Sequence, residues 1–264
     1  MSKLVESWEC GIRVCFMRDY NIETEKRVEF IRGLLKDSGA RGIVFGNSGG
    51  KDSALAGVLC KLACVNTVGI IMPCGSKRNY GEDLSDALAV AEQYGIETRI
   101  IDLSESANAI KGALGTAAKL TSASITNIAP RLRMTALYAV AASEGRLVAG
   151  TGNLSERYMG YFTKWGDGAF DFNPIADLTV TEIYAFLEHL GAPRRIIEKA
   201  PSAGLLDGQT DEGDMGVTYR SIDAFLLEGR CVPEDMEIIA KYHRSSEHKR
   251  KPPAIFCAGH GDRG

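Results

Sequence analysis

The chain has 264 residues, 45% hydrophobic and 25% charged, with a formal net charge of −3. That balance suits one globular α/β domain and gives no electrostatic argument for a nucleic-acid partner. The longest apolar runs, such as 43–45 and 68–72, are too short to cross a bilayer, and the first residues lack the pattern of an export signal, so no membrane association is expected and the expected location is cytoplasmic.

Val28, Ile31, Leu34 and Leu35 recur at helical spacing within 23–37, and Gly39 stops that helix. Residues 42–45 predict a short buried strand, after which the glycine-rich segment 46–53 turns the chain into a helix over about 52–64. Cys60 and Cys64 lie four apart on it. No CxxC pair occurs among the seven cysteines, so these two read as buried reduced thiols rather than zinc ligands. A second strand falls at 67–72, then a polar stretch at 74–83 and a helix to about residue 94. A third strand at 97–101, helices at about 104–119 and 127–143, and a fourth strand at 146–149 continue the alternation. Such alternation predicts βαβ units and a parallel, doubly wound sheet with helices on both faces.

Right-handed crossovers gather the loops at the strands' carboxyl ends on one edge, where ligands bind in such sheets. Two polar, glycine-rich segments, 46–53 and 150–156, follow strands directly and are placed for such a site. Asn153-Leu154-Ser155 matches a glycosylation sequon, read here as accidental in the absence of an export signal. Beyond residue 175 the pattern turns helical, with candidates at about 179–190, 193–199, 216–228 and 233–243. The glycine- and acid-rich segment 201–216 between them reads as a mobile loop. With no repeat or linker to divide it, the chain is expected to form one domain over 1–264, helical from about 179.

Ser48-Gly49-Gly50-Lys51-Asp52-Ser53 is the strongest local signal. Glycines let the backbone approach an anion, and amides at a following helix N-terminus point partial positive charge at it. Ser48 and Ser53 can donate hydroxyl hydrogen bonds, and Asp52 can hold a magnesium ion against phosphate oxygens. The spacing is not that of a Walker A loop. An ordinary turn with Asp52 as a helix cap is the plain alternative.

The pattern SGGxDS resembles the pyrophosphate loop of ATP pyrophosphatases, which split ATP between its α and β phosphates. Gly150-Thr-Gly-Asn-Leu-Ser-Glu156, Gly160-Tyr-Phe-Thr-Lys-Trp-Gly-Asp-Gly168, Asp171, Pro174 and Leu178 are similar to the central signature of ammonia-dependent NAD synthetases. Asn127-Ile128 with Arg131-Leu-Arg-Met134, Lys199-Ala-Pro-Ser-Ala-Gly-Leu205, Gln209-Thr-Asp-Glu212 and Glu247-His-Lys-Arg250 resemble further motifs of that family, in order. The resemblance covers about 24–256 and implies an adenine nucleotide α-hydrolase-like, Rossmann-like fold.

The resemblance also implies site residues. Gly46, Asn47, Ser48, Gly49, Gly50, Lys51, Asp52, Ser53 and Thr151 would bind ATP, with Ser202 closing from the loop. Asp52 and Glu156 would hold magnesium, and Arg131, Lys164, Asp171, His248 and Lys249 would contact deamido-NAD. The implied reaction activates a nicotinate carboxylate with ATP as an acyl-adenylate, which ammonia then amidates, releasing pyrophosphate and AMP. Asp52, Asp167 and Asp171 are the catalytic candidates, the last two as acceptors of the proton from ammonium. Residues 75–83 and 202–216 would serve as lids that keep water from the adenylate.

Only about 40 residues precede the loop, too few for a glutaminase domain. The expectation is therefore free ammonia or a separate glutaminase subunit, and, from the family, a homodimer. Two positions depart from the family pattern. Val180 stands where a phosphate-binding lysine is expected, and Ala129, followed by Pro130, replaces another lysine. Lys51 or Arg133 could compensate. Two other readings stay open at this point: a different ATP pyrophosphatase, such as a tRNA-thiolating enzyme, or a nucleotide-binding sensor without turnover.

Overall fold

The computed structural model describes residues 18–75, 80–199 and 210–256. Helix α1 (Tyr20–Ser38) is capped by Asp19, whose carboxylate accepts from the Asn21 and Ile22 amides, and stops at Gly39 with φ 67°. Strand β1 (Gly42–Gly46), α2 (Lys51–Ala63), β2 (Thr67–Ile71), α3 (Glu82–Tyr94) and β3 (Glu97–Ile100) form successive βαβ units. The expected helix at 104–119 ends early, as α4 (Ser104–Gly115), and is followed by a short helix not expected from the sequence, α5 (Ser122–Thr126), started by a capping box in which the Thr121 and Ser124 side chains serve each other's backbone amides. Next come α6 (Ile128–Glu144), with Pro130 tolerated in its first turn, and β4 (Arg146–Ala149).

All three strand pairings are parallel, and the sheet order is β3-β2-β1-β4. The chain runs outward from β1 to β3, then returns to the other side of β1. The loops after β1 and β4 therefore diverge at a topological switch point, which opens a crevice at the carboxyl ends of these strands.

The remaining helices are α7 (Leu154–Met159), α8 (Val180–His189), α9 (Arg194–Ile197), α10 (Asp211–Met215), α11 (Tyr219–Glu228), α12 (Pro233–Ser245) and α13 (Glu247–Arg250). The end of the expected loop at 201–216 is thus helical: Thr210 caps α10 by accepting from the Gly213 amide. Alternation along β1 divides the core. Ile43 and Phe45 face Ile31 of α1, Leu55 and Leu59 of α2, and Ile183 and Phe186 of α8. Val44 joins Val68, Ile70 and Val148 against Ala141 and Leu137 of α6. A third cluster, including Met159, Val180, Tyr219, Ile222 and Ile239, binds the C-terminal helices to α7. No described helix is long and apolar enough to cross a membrane.

Cys60 is a core side chain whose thiol burial pushes well above its ordinary pKa, and Cys64, the C-cap of α2, packs against the same core. Cys10, Cys15 and Cys257 lie outside the described residues.

Helix α2 approaches the sheet closely because it presents Gly57 to the ring of Phe45. A Cβ added at Gly57 would lie 2.4 Å from Phe45 Cζ. Gly57→Ala should therefore overpack this contact and lower stability by about 1–3 kcal/mol, measured by denaturant unfolding. An unchanged midpoint would show that α2 can shift outward at no cost.

Candidate active site

Strand β1 delivers the chain to the glycine-rich loop at the switch point. Asn47 continues the ladder, its amide donating to Ile70 O at 2.9 Å, and its buried Nδ2 donates to Ala87 O at 3.1 Å. Its side chain thus anchors the loop to α3. Gly49 has φ 74°, and a Cβ there would lie 2.2 Å from Asp83 O, so both conformation and space require glycine. No side chain caps α2 at Gly50. The Ser48 and Ser53 hydroxyls lie 3.1 Å apart beside it, and Ser53 donates to Gly50 O. Those amides and hydroxyls suit an anionic ligand.

The loop after β4 supplies the opposite wall. Asn153 caps α7 by accepting from the Glu156 amide at 2.9 Å, and Glu156 Oε2 accepts in return from the Asn153 amide. Its Nδ2 donates to Asp52 Oδ1 at 3.0 Å. One asparagine therefore joins the two expected magnesium ligands across the crevice. Asn153 is fully buried, which agrees with reading its sequon as accidental. Burial, with the nearby Asp52 charge, raises the Glu156 carboxyl well above its usual range. Lys51 donates to Asp52 Oδ2 at 2.8 Å. Burial opposes the Lys51 charge, but Asp52 and Glu156 outweigh it and hold the ammonium above the ordinary lysine range.

Helix α7 is held from behind by Asp223 of α11, which accepts from Ser155 Oγ at 2.5 Å, the Thr181 amide at 2.7 Å and Thr181 Oγ1 at 2.6 Å. Val180, first residue of α8, is buried against Met159 and Tyr219. It sits in the apolar cluster behind the site, so the departure from lysine is a packing position here. On another side, Lys199 donates to Asp83 at 2.8 Å and to Asp86 at 2.6 Å.

These walls enclose a cavity of about 870 Å3. Of the expected ATP ligands, Gly46, Asn47, Ser48, Gly50, Lys51, Asp52, Ser53 and Thr151 line it, while Gly49 packs beneath the loop and Ser202 lies outside the described residues. Half of the expected lid residues, 76–79 and 202–209, lie outside the described residues as well; of the rest, Glu82 and Asp83 begin α3 and 211–215 form α10. Arg133 lines the cavity and donates to Met72 O at 3.0 Å; burial lowers its pKa.

The expected dinucleotide contacts divide. Lys249 lines the cavity, where it donates to Gly160 O and Phe162 O, and burial lowers its pKa. Arg131, Lys164 and His248 form a connected group outside the lining: Arg131 donates to Lys164 O at 3.4 Å, and Lys164 to His248 O at 2.7 Å. Asp167 lines the cavity and accepts from the Thr163 amide; it is reached by solvent yet ringed by protein, and that desolvation raises its carboxyl pKa. Asp171 does not line it. Its Oδ2 accepts from the Val148 amide at 2.8 Å and its Oδ1 from Tyr138 at 3.1 Å, so its carboxylate stabilises the end of β4.

Sequence reasoning missed Asp211 and Tyr219. Asp211 is buried in the cavity wall and accepts from Tyr219 at 3.1 Å. The acid-rich segment that holds Asp211 was visible, but its placement beside Glu156 and Tyr219 depends on how α10 and α11 pack.

Asn153→Asp should keep the cap of α7 but set a third carboxylate against Asp52. Repulsion raises a folded-state carboxyl pKa, and such a group loses stability as pH rises through that value. The variant's stability deficit should therefore grow between about pH 5 and pH 8 in thermal unfolding. A deficit independent of pH would remove the charge argument.

The family model described as NAD synthase matches residues 23–253. The NH(3)-dependent NAD(+) synthetase of Carboxydothermus hydrogenoformans is 44% identical over 236 residues, 88% of this chain and 96% of that protein. The protein of the same description from Archaeoglobus fulgidus is 42% identical, over 88% of this chain and 94% of its own. Among solved structures, NMN synthetase from Francisella tularensis superposes with a TM-score of 0.86 at 36% identity, over 90% of this chain and 99% of that one. The NH3-dependent NAD synthetase of Campylobacter jejuni gives 0.73 at 33%, over 90% and 100%.

Proposed function

The chain belongs to the NAD synthase family, and from that premise we propose that its cavity amidates the nicotinate carboxylate of deamido-NAD with ammonia at the expense of ATP. The carrying observation is the Asp52–Asn153–Glu156 bridge, which joins the phosphate-accepting loop to the second glycine-rich loop across the switch point.

A carboxylate is a poor electrophile at neutral pH. Its oxygen attacks the α-phosphorus of ATP, the bond to the β-phosphate breaks, and pyrophosphate leaves. The loop amides and the Ser48 and Ser53 hydroxyls bind the phosphates and keep them oriented. Ammonia then adds to the acyl-adenylate carbonyl and AMP departs. No enzyme nucleophile is needed, so the protein's contribution is positioning and electrostatic stabilisation. Asp167 is the proposed proton acceptor, because it lines the cavity with a raised carboxyl pKa. Asp171 is occupied with β4.

Asp52 and Glu156 offer two hard oxygen donors in a wall of low dielectric, a set that fits magnesium completed by phosphate and water oxygens. The ion, when bound, would neutralise phosphate charge.

Incubation with deamido-NAD, ATP, magnesium and ammonium should give NAD, AMP and pyrophosphate in equal amounts, read by chromatography. ADP with phosphate would exclude this chemistry. In the same assay Asp52→Asn and Glu156→Gln should each cut turnover at least about tenfold while remaining folded. The better superposition on the Francisella protein, 0.86 against 0.73, supports a second reading in which nicotinic acid mononucleotide is the acid amidated. Parallel assays of the two acids separate the readings by their kcat/KM ratio.

The molecule is further proposed to act as a homodimer of C2 symmetry. Ile110, Leu114 and Ile125 are exposed on the layer of α4 and α5, and a second copy could cover them. Light scattering at micromolar concentration should give twice the chain mass; a monomeric mass would contradict the assembly.

A further inference from the structure

Lys51 holds the variable position of the SGGxDS loop, and the fold buries it to 6% exposure. Its Nζ lies 2.8 Å from Asp52 Oδ2, 5.6 Å from the ring centre of Tyr219 and 5.9 Å from that of Tyr184. Two helices of the C-terminal layer thus close an aromatic wall around an ammonium that donates a hydrogen bond to an expected magnesium ligand. The other such ligand, Glu156, is fixed to the same Asn153 that bonds Asp52.

We propose that Lys51 is a built-in counter-cation for Asp52 and Glu156, which offsets part of the charge of this carboxylate pair in the metal-free protein and opposes a divalent ion arriving there. The proposal rests on the reading of Asp52 and Glu156 as metal ligands. Its physical basis is charge balance. Two carboxylates that share a buried wall need a cation nearby, and a buried lysine needs an anion. Lys51 meets both needs from the first position of α2, beside Asp52. The aromatic faces favour the ammonium at this place and leave it little freedom to move away. A divalent ion bound to the same oxygens then meets a like charge at short range, so its affinity is lower than the two carboxylates alone would give.

The test uses the full chain without ATP, with Mn2+ as the probe. Mn2+ binding is followed by electron paramagnetic resonance, and thermal unfolding is measured with and without the ion, for the unaltered protein, Lys51→Met and Lys51→Gln. Removal of the ammonium should tighten Mn2+ binding about tenfold. It should also lower the metal-free unfolding midpoint, and Mn2+ should raise that midpoint further in the variants than in the unaltered chain. Folding of Lys51→Met only in the presence of Mn2+ would support the assignment. Should that variant fail to fold at all, Lys51→Gln, which keeps a polar side chain of similar reach, carries the comparison. Unchanged or weaker Mn2+ affinity overturns the counter-cation role and leaves the metal site intact. Absence of Mn2+ binding in the unaltered chain and both variants refutes the metal site, and the counter-cation with it.

Discussion

Asn153 is fully buried, and its side chain joins two loops that are distant in sequence. Its carbonyl oxygen accepts from the Glu156 amide to begin α7, and its amide nitrogen donates to Asp52 at the start of α2. Each bond fixes one side of the crevice between β1 and β4. Because both belong to one planar amide, neither wall can move without disturbing the other. Burial strengthens that coupling, since a broken bond would leave a polar group unpaired away from water.

Charge accumulates around this joint. Asp52, Glu156 and Asp211 all act on Lys51, Glu156 or Tyr219 within the same wall. Carboxylates so placed cost free energy unless cations or hydrogen bonds offset them, and such concentrations mark sites where a ligand supplies the balance. Elsewhere the chain pairs its charges locally: Lys199 lies between Asp83 and Asp86, and Arg27 is bonded to Glu23 and Asp177. Of these, Lys199 and Asp83 belong to the cavity wall, whereas Arg27 and its partners do not line it.

At the departures from the family pattern, Val180 and Pro130 take packing roles, while the structure gives none to Ala129. Val180 fills an apolar cluster at the start of α8. Pro130 occupies the first turn of α6, where its missing amide hydrogen costs no helical bond, and its ring packs against Gly166, at which a Cβ would come within 2.9 Å. The cation at the cavity wall next to Tyr184 of α8 is instead Lys51, carried by the loop.

The order of strands and helices, the parallel sheet and the two glycine-rich segments were legible in the sequence, because periodicity and glycine placement act over a few residues. The motifs that hold Ser48, Asp52 and Glu156 are local, and all three line the cavity. The short helices at Ser122–Thr126 and Asp211–Met215 were not legible, because short polar helices depend on caps at Thr121 and Thr210 more than on an apolar stripe. Tertiary structure alone assigned Asp171 to the Val148 amide and Asp167 to the cavity, two aspartates four residues apart that sequence could not tell apart. It alone brought Tyr184 and Tyr219 around Lys51, with Asp211 bonded to Tyr219. The physical reason is range: hydrogen bonding along the chain is written in neighbouring residues, whereas burial and charge balance depend on which distant elements the core packs together.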